Sequence, residues 1–286
     1  LTLLTQRLDL AYRQTAARIS ENEAISIINT PTGPDLSVER LEKIEEPPSL
    51  VALRAAVDAR LPRLDLPELI LEMQARTGFA NLFSHASEGN ARADDIAISI
   101  CAVLVAEATN TGFEPLIRLD TPALRRSRLS WVKQNFLRAE TLTAANAALV
   151  AAQNAIKLAQ VWGGGEVAAA GGLRLVVPVR TIHSGPNPKY FGRERGVTWY
   201  NLVSDQYSGL NAITVPGTMR DSLYLLAVVL EQETELDLRE IMTDTAGYTD
   251  TIFGVFYLLG IQFSPRIADI GGARFWRVDG KANYGI

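Results

Sequence analysis

The stretch Glu240-Ile241-Met242-Thr243-Asp244-Thr245-Ala246-Gly247-Tyr248-Thr249-Asp250 decides how the rest of the chain is interpreted. A short β-prone segment ends in an acid, turns at Gly247 and continues as a predicted helix from Thr249 to Leu259 that stops at Gly260. This order places Asp244 at the carboxyl end of a strand, where open parallel sheets gather their ligands. A carboxylate there suits a hard cation such as Mg²⁺. An Asp after a strand also serves as the cap of the next helix, and spacing alone leaves both interpretations open.

The composition is that of a globular chain, with 286 residues of which 47% are apolar. A formal net charge of −4 gives no overall attraction to DNA or to an anionic membrane, so any DNA binding has to come from local basic patches. The one cysteine, Cys101, excludes an internal disulfide and a four-cysteine zinc site, and favours a reducing cytoplasm. The most apolar run, Ile96–Ala106, is about half of what a membrane-spanning helix needs. We therefore expect a cytoplasmic protein with no membrane partner.

The first part of the chain, residues 1–162, is predicted to be a helical scaffold that contacts DNA. Its predicted helices cover Leu1–Ile28, Ser37–Ile44, Leu50–Leu61, Pro67–Thr77, Ile96–Thr109 and Glu140–Trp162. The last of these carries a stripe of alanine and leucine at three- and four-residue spacing, which favours close packing against a partner helix and a homodimer.

A further helix, opened by Thr121-Pro122, carries the most basic stretch of the chain. No acid occurs between Asp120 and Glu140. The stretch is interpreted either as a phosphate-contacting face or as an ordinary solvated helix surface. Its positive residues are Arg125, Arg126, Arg128, Lys133 and Arg138.

Three consecutive glycines, Gly163-Gly164-Gly165, mark the predicted boundary of a second domain, residues 163–286. The β-prone runs that follow are Leu173–Val179, Val197–Ser204 and Leu210–Val215. Between the first two lies a loop rich in glycine and proline, in which Lys189, Arg193 and Arg195 alternate with aromatic residues. This pattern suits contact with phosphates and bases, although a plain connecting loop would look similar.

The order of the remaining elements indicates an α+β domain with a mixed sheet. A capping box of Thr218 and Asp221 precedes a predicted helix at Leu223–Glu233. This helix leads to the strand that ends at Asp244. A last predicted strand covers Ile261–Ile267 and ends near Asp269. A meander followed by crossover connections is the order of the ribonuclease-H-like, or retroviral-integrase-like, fold. The sequence predicts this fold in incomplete form, with flanking helices. In it, an acid on the first strand faces an acid at the end of the fourth.

Four runs in this chain closely resemble those of the Tn-three-type, or class II replicative, transposases. They are His85–Asp95, Leu137–Leu142, Pro186–Gly196 and Thr243–Asp250. The likeness extends over essentially the whole chain. It implies a DDE transposase, in which two Asp and one Glu hold two Mg²⁺ for strand cleavage and strand transfer between transposon ends and target DNA. Asp244 matches the second catalytic Asp and its metal-binding role.

The chain departs from the family pattern at the other two acids. The first catalytic Asp should precede Gly172-Leu173-Arg174, but Gly171 occupies that position. Glu166 lies five residues earlier and, by strand alternation, would face the opposite side. The catalytic Glu is expected in a segment beyond Ile286. The chain starts without Met and without a secretion signal, which favours a piece of a longer chain. The resemblance implies a bacterial protein that is cytoplasmic and associates with the nucleoid when it binds DNA.

Three functional hypotheses follow. The first is a Tn-three-type transposase for DNA transposition that is inactive as this chain alone. The alternative is a non-catalytic DNA-binding or dimerising relic that regulates intact transposase. A third is an ordinary ribonuclease-H-like nuclease with an unusual site, for which Asp205 is the first acid to examine as a partner of Asp244.

Overall fold

The computed structural model describes residues 2–31, 33–39, 45–87, 93–218, 221–244, 248–266 and 276–284. The chain divides into two compact units. One consists of Leu1–Pro62 with Ala268–Ile286, and the other of Arg63–Ile267. Among the described residues, no helix combines the length and the apolar character needed to cross a membrane.

Among its described residues, the first unit contains two helices and a hairpin: α1 (Thr2–Ile19), β1 (Ile25–Thr30), β2 (Gly33–Val38) and α2 (Pro48–Asp58). The strands pair antiparallel, with Ile27 opposite Leu36. The predictions of helix up to Ile28 and of a helix starting at Ser37 are therefore wrong. The backbone N–H and C=O groups of these residues form hydrogen bonds between the two strands, whereas the sequence pattern predicted hydrogen bonds within two helices. The rest of the second predicted helix, residues 40–44, lies outside the described residues.

A segment from the end of the chain packs on α1 within this unit. The Tyr12 hydroxyl donates a hydrogen bond to the Trp276 carbonyl over 3.0 Å. The rings of Tyr12 and Tyr284 lie 4.9 Å apart. A hydrogen bond from Arg13 lowers the pKa of Asp9. These contacts join the two ends of the chain in one unit.

The second unit begins with a helical layer whose helices are α3 (Leu66–Thr77), α4 (Ile96–Thr109), α5 (Arg126–Phe136), α6 (Ala139–Asn154) and α7 (Lys157–Trp162). The predictions for α3 and α4 are confirmed. The helix predicted from Thr121 instead begins at Arg126, after a 3₁₀ turn over Pro122–Leu124. The helix predicted over Glu140–Trp162 is broken between α6 and α7, where Ile156 adopts an extended backbone.

The core of this helical layer surrounds α4, which is apolar on all sides and buried, as predicted. Ile100, Val103 and Leu129 are fully buried in it. Cys101 is buried there as well, and the loss of solvent raises the pKa of its thiol to about 11. Ala145 and Leu149 of α6 also pack into this cluster. Part of the stripe on α6 therefore packs inside the chain, and a homodimer stays a prediction.

The sheet of the second unit is formed by residues that follow the three glycines. Its elements are β3 (Val167–Val176), β4 (Gly185–Pro186), α8 (Pro188–Phe191), β5 (Arg195–Ser204), β6 (Gly209–Pro216), α9 (Asp221–Leu230), β7 (Glu240–Thr243), α10 (Asp250–Leu259) and β8 (Gln262–Pro265). The main strand order is β6-β5-β3-β7-β8, with β4 paired to the start of β5. Two predictions involve residues outside the described parts of the chain: the capping box of Thr218 and Asp221, and the strand end near Asp269.

The sheet is mixed, in agreement with the predicted α+β class. Strands β3, β5 and β6 form an antiparallel meander. Strand β7 then pairs parallel to β3, and β8 parallel to β7. Since both units contain helices and the sheet shares its unit with α3–α7, the functional division at residue 163 remains a proposal.

The two faces of the sheet differ in their surroundings. Tyr200, Leu202 and Ile241 point to one face, where they are buried with residues of α9 and α10. On the other face Leu173 and Trp199, which lie opposite each other on β3 and β5, are 61% and 45% exposed. Gly171, two residues before Leu173 on β3, belongs to this more open face.

The basic loop between β3 and β5 is anchored by an aromatic side chain. Phe191 is buried, and its ring lies so close to Gly196 and Gly217 that a Cβ at either glycine would overlap it. The Asn187 amide donates a hydrogen bond to the Gly217 carbonyl over 2.7 Å. The absence of side chains at Gly196 and Gly217 therefore leaves room for the Phe191 ring, and the packing of this ring holds the loop against the sheet.

We expect Gly196→Ala to lower the free energy of unfolding by about 1–3 kcal/mol, because the added methyl group overlaps a buried ring that has little room to move. Gly209→Ala is the matched control, since nothing lies within 4 Å of a Cβ at that position of the same sheet. Urea denaturation of both variants measures the difference. Equal stability of the two variants would contradict the anchoring role of Phe191.

Candidate active site

Asp244 is exposed and directly follows β7, at the carboxyl end of that strand. The register between β3 and β7 pairs Ala168 with Ile241 and Ala170 with Thr243. The next residues along the two strands are Gly171 and Asp244. Because neighbouring strands lie about 4.8 Å apart, the structure places these two positions side by side.

The helix after Asp244 is capped by another residue. The Thr249 hydroxyl accepts a hydrogen bond from the Ile252 backbone N–H over 3.2 Å, and α10 starts at Asp250. The helix ends at Gly260, which adopts a left-handed backbone with φ 76°. The predicted strand and the predicted helix are thus both present, one before and one after residues 245–247. The turn predicted at Gly247 lies outside the described residues. Thr249, and not Asp244, is therefore the N-cap residue of α10.

Gly171 offers space but no ligand. A Cβ built at this position has no atom within 4 Å. Its opposite neighbour on β5 is Asn201. The sequence patterns do not identify Asn201 as a site residue. The signal that could have found it is strand alternation, because Asn201 lies two residues after Trp199 on β5 and so shares its face of the sheet. The first carboxylate of the resembled family would fit at residue 171, beside this amide.

The residues present do not complete a metal site. Within the described ranges, no group of three or more His, Cys, Asp or Glu side chains is arranged to hold a metal ion. With Gly171 in place of an acid, Asp244 is the one predicted carboxylate ligand at this edge of the sheet. The side chains therefore do not fit a two-Asp magnesium centre.

The two other acids considered lie at the opposite end of β3. Asp205 follows β5, whose last residue Ser204 pairs with Ala168. Its carboxylate accepts a hydrogen bond from the Gly165 backbone N–H over 2.9 Å. Glu166 faces Arg239, with 3.5 Å between the charged atoms. Since Ala168 and Gly171 are separated by about 10 Å along an extended strand, Asp205 is not beside Asp244. The interpretation of Asp205 as its partner is wrong.

All three cations of the basic loop are exposed, and one of them is also used in the fold. Lys189, Arg193 and Arg195 are exposed to solvent. Arg195 in addition donates a hydrogen bond to the Ser184 carbonyl over 2.6 Å. The Arg174 guanidinium lies 3.8 Å from the centre of the Tyr190 ring, and the Lys189 ammonium lies 5.0 Å from the same ring. Such contacts hold a ring and its neighbouring cations together.

The predicted basic helix is partly neutralised by acids from distant positions in the chain. Arg126 forms an ion pair with Glu114, and Lys133 one with Glu107 over 2.7 Å. Arg138 donates hydrogen bonds to the carbonyl groups of Ser84 and Asn135, over 3.0 and 2.7 Å. Arg125 and Arg128 remain beside an open pocket. The five positive charges thus do not form one continuous face.

The fold and this geometry define a class: an α+β protein with an exposed acid at the carboxyl end of two parallel strands, where such sheets bind their ligands. Residues 68–286 match the model of a family described as the Tn3 transposase DDE domain. The chain belongs to this family.

Curated relatives agree with this assignment. The chain is 58% identical over 283 residues to the transposase for transposon gamma-delta of Escherichia coli strain K12, a match that covers 99% of this chain and 28% of the relative. It is 45% identical over 278 residues to the transposase for transposon Tn4556 of Streptomyces fradiae, covering 97% of this chain and 31% of the relative. With the transposase for transposon Tn501 of Pseudomonas aeruginosa the identity is 35% over 285 residues, covering 98% and 28%. The chain thus spans less than a third of the length of these relatives.

We expect Gly171→Asp to create a site for a divalent cation, because it adds a carboxylate roughly 5 Å from that of Asp244 where the structure has room. Binding to the folded state alone would stabilise the variant by about 2.7 kcal/mol when Mn²⁺ is present at 100 times its dissociation constant. Thermal unfolding with and without Mn²⁺, together with calorimetric titration, measures this effect.

Gly171→Asn is the matched control, since it has a similar size and no charge, and Gly171→Asp with Asp244→Asn removes the second ligand. Equal stabilisation of all three variants by Mn²⁺ would rule out a site shared by residues 171 and 244.

Proposed function

We propose that this chain acts in DNA transposition as part of a Tn3-type transposase. Its role is to bind DNA beside the edge of the sheet where Asp244 lies and where residue 171 lacks the first catalytic acid. The observation that carries this proposal is the adjacency of Gly171 and Asp244 on parallel strands. Membership of the Tn3 transposase DDE domain family supports it, because Asp244 matches the second acid of that family and residue 171 the first.

The strand order supports a ribonuclease-H-like fold for residues 163–286. The sheet has an antiparallel meander of β3, β5 and β6, with β7 added parallel beside β3 and β8 parallel beside β7, which is the connectivity expected for that fold. In it, cleavage at transposon ends and joining to target DNA would be the same phosphoryl transfer performed twice. Magnesium would supply charge stabilisation in an intact family member.

The residues of this chain perform only part of that task. Asp244 presents one carboxylate at the sheet edge, the Asn201 amide lies beside the vacant first position, and the surface cations Lys189 and Arg193 are available for DNA phosphates. No second carboxylate stands next to Asp244 at residue 171. We therefore propose that the chain with Gly171 performs no strand transfer by itself.

A chimaera tests the function directly. Gamma-delta transposase in which the matching segment is replaced by this chain should not support transposition, whereas the same chimaera with Gly171→Asp should, because the acid restores the pair with Asp244. Transposition frequency in Escherichia coli measures both. Gly171→Asp with Asp244→Asn should be inactive. Normal transposition by the unaltered chimaera would refute the assigned role of residue 171.

A second candidate function is favoured by Gly171 itself: DNA binding without catalysis, through which the chain would regulate an intact transposase. This role needs only the basic surfaces and no carboxylate pair. DNA binding through phosphates releases counterions, so its affinity should fall as salt rises.

We expect Lys189→Gln with Arg193→Gln to weaken duplex binding and to lower the slope of log affinity against log salt by about 0.9 for each phosphate that the loop no longer neutralises. Fluorescence anisotropy over a range of salt concentrations measures the slope. The charge-matched control is Arg76→Gln with Arg239→Gln, because Arg76 and Arg239 are paired with Glu72 and Asp237. Equal slopes for the two double variants would remove the loop from the DNA-binding surface.

A further inference from the structure

An open pocket of about 380 Å³ lies at the start of α5. It is lined by Pro122, Arg125, Ser127, Arg128 and Trp131. Two guanidinium groups and a hydroxyl thus share a concave surface with a proline ring and an indole. The pocket combines groups that bind an anion with groups that pack against an apolar or sugar surface.

The two arginines of the pocket differ from their neighbours in how their charges are used. Arg126 and Lys133, on the same helix, are paired with Glu114 and Glu107. In the part of the chain that the structure describes, neither Arg125 nor Arg128 has a carboxylate within ion-pair distance. Arg125 donates its Nε–H to the Leu119 carbonyl over 3.3 Å, which leaves the terminal nitrogens of its guanidinium group for a ligand.

The indole wall of the pocket is fixed in place. The Trp131 ring lies 5.1 Å from Phe136 and 5.5 Å from His85, measured between ring centres. The Arg128 guanidinium lies 5.6 Å from the centre of the same indole. This contact holds the Arg128 cation beside the pocket rather than in bulk solvent. The first turn of α5 carries no acid that would repel an anion.

We propose that this pocket binds one deoxyribose phosphate unit of a DNA backbone, with the phosphate between Arg125 and Arg128 and the sugar against Pro122 and Trp131. Paired guanidinium donors match the oxygens of a phosphate. Arginine can also read the edge of guanine, but here both guanidinium groups bind the phosphate and the indole packs on the sugar, so the contact positions DNA without selecting a sequence. The proposal rests on the proposed function in one respect, namely that DNA is the partner. Of the basic residues at this helix, Arg125 and Arg128 would contact the phosphate, whereas Arg126 and Lys133 would not, because they are already paired with Glu114 and Glu107.

Two double variants of equal charge test the pocket. Arg125→Gln with Arg128→Gln should weaken binding of the full chain to a duplex roughly tenfold, the loss expected for charge-assisted hydrogen bonds to one phosphate. Its salt slope should fall by about 0.9. Arg126→Gln with Lys133→Gln removes the same charge but should leave the slope within about 0.2 of the wild-type value, because both cations are already paired. The weakening should be the same on two duplexes of unrelated sequence.

A second measurement locates the contact independently of net charge. The indole N–H resonance of Trp131, assigned with Trp131→Phe, should shift when the wild-type chain is saturated with duplex and stay unmoved in Arg125→Gln with Arg128→Gln. Circular dichroism confirms that each variant is folded.

The outcomes separate the two proposals. If the wild-type chain binds both duplexes but the two double variants lose affinity equally, or the Trp131 resonance does not respond, the pocket assignment is overturned while DNA binding stands. If the wild-type chain binds neither duplex, the proposed DNA contact fails and the pocket loses its ligand.

Discussion

Parallel pairing between β3 and β7 is the constraint on which the site depends. Strand β7 ends at Thr243, opposite Ala170, while β3 continues to Val176, and a fixed register keeps the side chains of the two strands alternating in phase. Here Ala170 and Thr243 are paired and buried, so the next residue on each strand points away from the helix-covered face. A shift of one residue would turn Asp244 towards the core. The buried small residues of β3 and Ile241 of β7 therefore fix where the acid points.

The second unit was largely predictable because its signals are local. Alternation along β5, the apolar run of α4, and Thr249 and Gly260 at the ends of α10 each define an element from a few neighbouring residues. In the first unit the same reasoning predicted helices where α1 and α2 lie but missed the hairpin between them. Residues 25–38 carry a weak pattern, and their hairpin exists because β1 and β2 satisfy each other's backbone groups. Pairing of that kind is set by both strands together and is not visible in either alone.

The candidate site shows the same division. The position of Asp244 followed from sequence order, and the space at Gly171 from the departure from the family pattern. For the basic helix the sequence leaves a phosphate-contacting face and a solvated surface both open, because the acids that pair with Arg126 and Lys133 are Glu114 and Glu107, outside the stretch that defines it. Ion pairs between distant positions depend on the packing of α4 and of the segment before α5. Sequence charge counts do not contain this information. Nor do they show that Asp205, the first candidate partner of Asp244, accepts a hydrogen bond from the backbone N–H of Gly165.

The seat of Phe191 against Gly196 and Gly217 has a consequence for how the basic loop would meet a partner. A loop that is already ordered loses little conformational entropy on contact, whereas a mobile loop of the same charge would lose far more. The cations beside Tyr190 are therefore presented in one arrangement before any encounter. Association would then be limited by electrostatic steering and orientation rather than by a folding step. In this chain, a buried ring and two glycines thus fix how the loop presents its cations at the surface.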